Sequence, residues 1–193
     1  MAEPEVYMPA EQYHYPAITV DVVIFTVREG ALHMLLVQRR HDPYGGCWAI
    51  PGGFVHADEP LDAAARRELA EETGVRDVYL EQLYTFGDPA RDPRGRVISV
   101  AYIALTRPDS HDLQAATDAA DVRWFPVSDL PRPLAFDHDR IVRYALDRLR
   151  SKLEYTTLAF QLLPALFTLP DLKHTYEQIL GEPLDRGNFY RKI

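Results

Sequence analysis

The sequence has a single cysteine, Cys47, so no disulfide can form within the chain. It has no run of about 18 apolar residues, so no membrane-spanning helix is predicted. The acidic, proline-containing N-terminus lacks the basic segment and apolar core of a secretory signal. These absences predict a protein of the reducing cytoplasm with no membrane partner, in which Cys47 is a buried or half-buried apolar side chain.

Positive charge is also scarce. The formal net charge is −8, and residues 1–137 carry the acidic excess, with 22 Asp and Glu against 12 Lys and Arg. Residues 138–193 hold 9 Lys and Arg against 7 Asp and Glu. An acidic body does not attract polyanions over long range, so only the C-terminal part suits a nucleic acid.

The 193 residues, 47% of them hydrophobic, suffice for one large domain or for one domain and a smaller one. β-Branched and apolar runs predict several strands around one alanine-rich helix, which indicates an α+β body. Pro60 lies at the start of the predicted helix, and Gly74 follows its end. The predicted strands are 18–25, 32–39, 78–86, 97–105 and 122–125, and the predicted helix is 61–73.

A proline-rich linker at 126–139 separates this body from a part with helical patterning only. In that part, Val142, Ala145, Leu149 and Leu153 share a face of a first predicted helix, and a second helix is predicted at 157–163, ended or kinked at Pro164. Thr168 and Asp171 resemble a capping signature for a third helix, and Asp185 can cap a short fourth one. The last two helices are joined by a glycine-containing turn, which is the outline of a helix-turn-helix unit. The same geometry suits a small helical bundle used for packing or dimerisation.

Three glutamates lie on one face of the predicted helix 61–73. Glu68, Glu71 and Glu72 are spaced i, i+3 and i+4, so a repeat of 3.6 residues brings them together. Carboxylates this close repel each other unless a cation binds them, and Mg²⁺ or Mn²⁺ prefers such oxygen ligands. The alternative is an ordinary glutamate-rich surface helix.

This segment resembles the Nudix box, G-x5-E-x7-R-E-U-x-E-E-x-G-U with U aliphatic, at every fixed position. The resemblance implies metal-dependent hydrolysis of a nucleoside diphosphate linked to another moiety. Arg67 is expected to pair with a glutamate and fix its orientation, and Glu59 to support it. The metal ligands are expected to be the three glutamates and the Gly53 carbonyl, which a side chain does not obstruct. The matching residues are Gly53, Glu59, Arg67, Glu68, Leu69, Glu71, Glu72, Gly74 and Val75.

Candidate substrate contacts lie outside the box. Arg39 and Arg40 follow the second strand and either bind the diphosphate or are solvated charges. Three further arginines in the loop before strand 97–105 contact phosphate or ribose, or else form a surface loop. Aromatic side chains can stack a purine, although each is more often a core residue. His138 is expected to make a linker contact or to bind across the domain junction. The remaining candidates are Arg91, Arg94 and Arg96, and Phe54, Tyr84 and Phe86.

Longer stretches extend the resemblance over about residues 14–193. Residues 35–55 resemble the ADP-ribose pyrophosphatase branch, and residues 81–105 resemble the Nudix-related regulators of bacterial NAD metabolism. Residues 134–193 resemble the winged-helix domain of that group. The resemblance implies a mixed-sheet α/β/α sandwich followed by a small helical domain, ADP-ribose as ligand and a homodimer. The expected division is an N-terminal segment (1–17), a Nudix domain (18–136) and a winged-helix-like domain (137–193) with its wing absent or truncated.

Three functions follow as hypotheses. The complete box favours a magnesium-dependent ADP-ribose pyrophosphatase that gives AMP and ribose 5-phosphate. The second is an ADP-ribose-responsive DNA-binding repressor of NAD-related genes, which is compatible with the first. The third is a hydrolase of damaged nucleoside triphosphates. Without a wing, DNA binding at physiological salt is expected to be weak. The candidate DNA contacts are Arg186, Asn188, Tyr190, Arg191 and Lys192.

Overall fold

The computed structural model describes residues 15–108 and 119–193. Within these ranges, none of the helices combines the length and hydropathy needed to cross a lipid bilayer. Two short 3-10 helices, Val127–Asp129 and Leu158–Leu162, accompany the regular elements. The strands are β1 (Ala17–Arg28), β2 (Ala31–Arg39), β3 (Trp48–Ala49), β4 (Gly52–Phe54), β5 (Tyr79–Phe86), β6 (Val97–Leu105) and β7 (Ala119–Pro126), and the helices are α1 (Leu61–Thr73), α2 (His138–Lys152), α3 (Leu169–Leu180) and α4 (Arg186–Lys192).

The strands form one mixed sheet with the order β3-β2-β1-β6-β5, while β4 pairs with β1 and β7 pairs with β2. β1 is central and runs parallel to β6, and its pairings with β2 and β4 are antiparallel. Its continuous β-branched run is explained by this position, because a central strand with both faces covered is apolar on each side.

Two hydrophobic clusters cover the two faces of the sheet. Val20 and Val22 of β1 pack on the side of α1, with Leu69. Val23 of β1 faces the other way and shares a cluster with Ile141 of α2. The alternation along β1 therefore builds the predicted α/β/α sandwich, with one helix on each face, and confirms the α+β fold class.

The C-terminal helices join the same core as α2. Leu172 and Ile179 of α3 and Phe189 of α4 belong to the cluster that covers the second face of the sheet. Because α2 packs on the sheet, it forms the second helical layer of the sandwich. It also connects the sheet to the last helices. The division at residues 136 and 137 stays a prediction.

Local signals in the C-terminal part gave accurate helix ends. Thr168 accepts a hydrogen bond from the Asp171 backbone, and Asp171 accepts one from the Thr168 backbone, which completes a capping box. The segment predicted as a helix at 157–163 is instead a 3-10 helix, Leu158–Leu162. Leu163 is extended, because the proline that follows it disfavours helical backbone at that residue.

Candidate active and ligand-binding site

The Gly52-Gly53 turn brings β4 against both β1 and α1. A Cβ atom on Gly52 would lie 2.1 Å from the carbonyl oxygen of Val20, and one on Gly53 would lie 2.4 Å from Oε1 of Glu68. The first position admits only glycine, because the Cβ would collide with backbone, whereas a Cβ at the second would have to displace the flexible Glu68 carboxylate. The first contact seats the turn on the central strand, and the second places the Glu68 carboxylate beside the turn.

Arg67 is the centre of the charged face of α1. Its Nε and Nη2 donate to the two oxygens of Glu59 at 3.0 and 2.5 Å. Its Nη1 donates to Glu68 at 2.8 Å and to Glu71 at 3.1 Å, and Nη2 also donates to the carbonyl of Phe54 at 3.1 Å. Arg67 therefore holds two of the three expected metal ligands and ties the helix to β4, the orienting role that the resemblance implies.

These contacts shift the protonation equilibria of the pair. The hydrogen bond from Arg67 is the main reason why the pKa of Glu59 falls to about 2, with a second contribution from the backbone N–H of His56. The hydrogen bond to Glu59 in turn raises the pKa of Arg67 above its already high ordinary value. Arg67 therefore favours the ionised form of Glu59.

The third glutamate, Glu72, accepts a hydrogen bond from the Gly52 backbone N–H at 2.8 Å. In residues 15–108 and 119–193, no three His, Cys, Asp or Glu side chains are arranged as a ready-made metal site. The donor set still suits a hard cation, because Glu68, Glu71 and Glu72 offer oxygens from one helix face next to Gly53. Their assignment as metal ligands stays a prediction.

A cleft with a volume of about 220 Å³ opens beside this turn. It lies between the first residues of β1, the end of β2, the turn and the start of α2. Its lining brings together Glu72 and Gly53 from the Nudix box with five of the predicted substrate-contact residues. Those five are Arg39, Arg40, Phe54, Arg91 and Arg94. The sequence thus identified much of one wall of the cleft.

A buried polar network forms the floor of the cleft. The Arg91 guanidinium donates to both oxygens of Asp137, at 2.8 and 3.2 Å, and to Oδ2 of Asp21 at 3.4 Å. The Ser99 hydroxyl donates to the same Asp21 oxygen. The network joins β1, the loop before β6 and the start of α2 through charge-assisted hydrogen bonds.

His138 extends this network across the junction with α2. Its Nδ1 accepts a hydrogen bond from the backbone N–H of Ile50 at 3.0 Å, and its Nε2 lies 3.6 Å from Oδ1 of Asp21. Burial is the main cause that lowers the pKa of His138. A neutral ring with an unprotonated Nδ1 matches these contacts, so His138 bridges the turn and α2.

Phe136 is an aromatic wall of the cleft that the sequence analysis did not single out. The guanidinium carbon of Arg39 lies 4.9 Å from its ring centroid, and that of Arg94 lies 5.5 Å away. Arg94 also lies 5.2 Å from the centroid of Phe54. Aromatic rings and guanidinium groups therefore alternate along this wall, an arrangement that offers flat, electron-rich and cationic surfaces to a nucleotide.

Of the predicted substrate contacts, Arg91 lines the cleft but is buried, and Tyr84, Phe86 and Arg96 lie outside its lining. The Arg91 side chain is 3% exposed and engaged by two carboxylates, so it is a buried structural ion-pair residue. Phe86 is 3% exposed and belongs to the core. Tyr84 is 49% exposed but packs on Tyr144 of α2, and neither aromatic lines the cleft. Arg96 donates to the carbonyl of Gly87 at 2.7 Å and also lies outside the cleft lining.

Residues of the polar network beneath the cleft were missed for a common reason. Asp21, Ser99 and Asp137 act through contacts between residues far apart in sequence, which no local pattern reveals. One signal was present, because Asp21 is a lone charge inside the apolar run 18–25. An acid in a fully buried strand needs a partner, and that requirement points to the cleft.

The predicted DNA-contact residues lie on or beside one short helix. Asp185 caps α4 by accepting from the Asn188 backbone at 2.8 Å, and Phe189 anchors the helix against Tyr176. Arg186, Asn188, Arg191 and Lys192 are exposed, while Tyr190 is half-buried. The Arg191 side chain donates to Asn188, and Arg186 lies over the Tyr190 ring.

Comparison with known proteins gives two family matches. Residues 16–145 match the NUDIX domain, and residues 159–193 match the NrtR DNA-binding winged helix domain. The chain is 41% identical over 184 residues to the ADPR responsive transcriptional repressor NtrR of Acinetobacter baylyi, covering 94% of this chain and 73% of that protein. It is 39% identical over 131 residues to the ADP-ribose pyrophosphatase of Methanocaldococcus jannaschii, covering 68% of this chain and 73% of that enzyme.

Solved structures of Shewanella oneidensis NrtR are also similar. The structure of that protein complexed with a 27mer DNA aligns with a TM-score of 0.81 at 41% identity, over 91% of this chain and 81% of the other. The structure of its NUDIX domain with ADP ribose aligns with a TM-score of 0.67 at 39% identity, over 74% of this chain and 94% of the other.

Proposed function

Because the chain belongs to the NUDIX family and ends in a segment of the NrtR winged-helix type, we propose that it is an ADP-ribose-responsive, DNA-binding regulator. Its cleft binds ADP-ribose, and its C-terminal helices bind DNA. The similarity to the NtrR repressor, which extends over both parts of the chain, supports this proposal. This similarity makes regulation the leading hypothesis, whereas the sequence alone favoured hydrolysis.

The observation that carries the proposal is the position of α2. The start of this helix touches the cleft, because Asp137 binds Arg91 and His138 binds Ile50. Near its other end, Nε of Arg150 donates to the carbonyl of Ile179 in α3 at 3.1 Å. One rigid element thus contacts both the ligand cleft and the helix pair proposed to bind DNA, so a ligand that moves α2 also moves those helices.

On the DNA side, α4 presents the exposed charges Arg186, Arg191 and Lys192, which neutralise phosphates in this proposal. Asn188 is the candidate for a contact to a base edge. A homodimer, which the family resemblance implies, would present two such helices to two half-sites.

The test is a DNA-binding titration with and without ADP-ribose. Duplexes are first enriched by the protein from a random library, and fluorescence anisotropy then gives the Kd at about 50 mM salt, where phosphate contacts are strong. Saturating ADP-ribose is expected to change that Kd by about 5- to 150-fold, the usual range of allosteric coupling. AMP serves as the control ligand. A protein that enriches no duplex, or a Kd that ADP-ribose does not change, contradicts the proposal.

Hydrolysis of ADP-ribose is the second candidate, and the complete set of Glu59, Arg67, Glu68, Glu71 and Glu72 favours it. In this proposal the three α1 glutamates and the Gly53 carbonyl hold Mg²⁺ or Mn²⁺. A bound ion would supply charge neutralisation at the diphosphate and a more acidic water. Arg67 keeps Glu68 and Glu71 on one side of the helix through its 2.8 and 3.1 Å contacts.

A substrate panel with Glu71→Gln separates the two candidates. The Glu71 side chain is 60% exposed, so its replacement should leave the fold intact. Turnover of ADP-ribose to AMP and ribose 5-phosphate in Mg²⁺ should fall by at least ~100-fold. A wild-type rate in the variant contradicts the metal-ligand assignment. Faster cleavage of a nucleoside triphosphate than of ADP-ribose supports the nucleotide-sanitising alternative, and no cleavage with either ion leaves regulation alone.

A further inference from the structure

Thr19 of β1 carries a buried hydroxyl that the fold does not satisfy. The residue is 7% exposed, and its Oγ1 has no hydrogen-bond partner among residues 15–108 and 119–193. Buried polar atoms without a hydrogen-bond partner are rare in native proteins, so each one needs a physical explanation. Thr19 lines the cleft, which indicates that a ligand supplies the missing partner. Thr26, on the same strand, carries the other buried hydroxyl without a partner in those residues, and it does not line the cleft.

The strand pattern directs the Thr19 side chain to the cleft side of the sheet. Side chains alternate along a strand, so Thr19 shares a face with Asp21 and not with Val20, which packs on the α1 side. In register, Thr19 lies beside Phe54 of β4 and Ser99 of β6. The hydroxyl therefore lies between the aromatic wall that Arg94 covers and the buried Asp21 network.

The charges around Thr19 select the kind of ligand group. Asp21 and Asp92 both line this part of the cleft, and the carboxylates are paired with Arg91 and Arg94 respectively. Within the network, Oδ2 of Asp21 accepts the hydrogen bonds from Ser99 and Arg91. Its Oδ1 lies 3.6 Å from Nε2 of His138.

A phosphate oxygen only accepts hydrogen bonds, so it could take one from Thr19 but could not donate one to a neighbouring carboxylate oxygen. A sugar hydroxyl suits the place, because it can accept from Thr19 and donate to a carboxylate oxygen. We propose that the Thr19 hydroxyl binds a ribose hydroxyl of the nucleotide ligand and thereby sets the preference of the cleft for an intact ribose. The proposal rests on the proposed binding of ADP-ribose and identifies a residue that recognises a ribose of that ligand.

The test compares three variants by calorimetric titration of ADP-ribose. Thr19→Val keeps the shape and removes the hydroxyl, so the Kd should rise by about 2- to 10-fold, the range for one hydrogen bond. Thr19→Ser restores the hydroxyl and should return the Kd to within about 2-fold of wild type. Thr26→Val removes the matched orphan hydroxyl outside the cleft and should leave the Kd unchanged. Thermal melting of each free variant shows that it is folded, and Thr19→Ala replaces Thr19→Val if the latter does not fold.

ADP identifies which ribose is bound, because it keeps the adenosine ribose and lacks the terminal one. A loss of affinity for ADP-ribose alone assigns Thr19 to the terminal ribose, whereas a loss for both ligands assigns it to the adenosine ribose, and either result supports the proposal. A wild-type protein that binds ADP-ribose, with an unchanged Kd in Thr19→Val, overturns this inference but not the proposed function. Thr19→Ser binding no better than Thr19→Val also overturns it. If the wild-type protein does not bind ADP-ribose, both this inference and the proposed function are contradicted.

Discussion

Replacing Arg91 by methionine should destabilise the protein more than replacing any exposed arginine of the same loop. Arg91 is 3% exposed at its side chain and holds Asp137 through two hydrogen bonds and Asp21 through a third. Methionine removes the cation and leaves the buried carboxylate of Asp21 and the half-buried carboxylate of Asp137 without their shared partner. Breaking a buried pair on one side costs about 3–5 kcal/mol, because the remaining charge is uncompensated.

For a chain of this size, each kcal/mol lowers the melting temperature by about 2–4 °C, so Arg91→Met should lower it by about 6–20 °C. Differential scanning calorimetry at neutral pH measures this shift. Arg96→Met is the matched control, because Arg96 is exposed and donates only to the Gly87 carbonyl. Its melting temperature should stay within about 4 °C of wild type.

A double variant tests the physical reason behind the number. Adding Asp137→Asn to Arg91→Met removes one of the uncompensated charges, so the pair of changes should cost less than the sum of the single changes. A melting temperature for Arg91→Met within about 2 °C of wild type would refute the reasoning that this ion pair joins β1 to α2. Additive effects in the double variant would refute the explanation by uncompensated charge.

Three further predictions concern the glycine turn, the buried histidine and the DNA face. Gly53→Ala places a Cβ 2.4 Å from Oε1 of Glu68 and displaces this flexible carboxylate. Mg²⁺-dependent cleavage of ADP-ribose should therefore fall by at least ~10-fold, with little change in melting temperature. Gly87→Ala is the control, because the nearest atom to its Cβ lies at 3.8 Å, and it should match wild type in both assays. Burial holds the pKa of His138 below 6.5, so the unfolded chain binds the proton more readily and the free energy of unfolding should fall as the pH drops below about 6.5. In urea unfolding, His138→Gln should lose less of this free energy over the same pH range than wild type. Equal losses in the two proteins would contradict the prediction. Arg191→Ala should reduce the slope of log Kd for DNA against log salt by about one, and an unchanged slope would exclude a phosphate contact.

The sequence predicted what depends on neighbours along the chain. Thr168 and Asp171 are three residues apart, and their capping box followed from that spacing alone. The contact between Gly53 and α1 was likewise implied by the fixed spacing of the Nudix box. The position of β1 was predicted from its continuous apolar run, because a strand that is buried on both faces is apolar at successive positions.

The sequence could not predict the contacts that cross the fold. Arg91 has the same residue type and loop context as Arg94 and Arg96, and only the packing of α2 places Asp137 against it. Phe86 lies in the core, and the sequence left this open because an aromatic side chain in a strand suits the core and a binding wall equally. Phe136 was overlooked because its neighbours in the cleft, Arg39 and Arg94, come from distant segments.

The most direct test of the central claim is calorimetric titration of ADP-ribose into the full chain, alone and with a saturating amount of an enriched DNA duplex. If the cleft and the C-terminal helices are coupled through α2, linkage requires that DNA change the Kd for ADP-ribose by the same factor by which ADP-ribose changes the Kd for DNA, about 5-fold or more. The same Kd for ADP-ribose with and without bound DNA would contradict the account, because two sites that do not influence each other cannot form a ligand-responsive regulator.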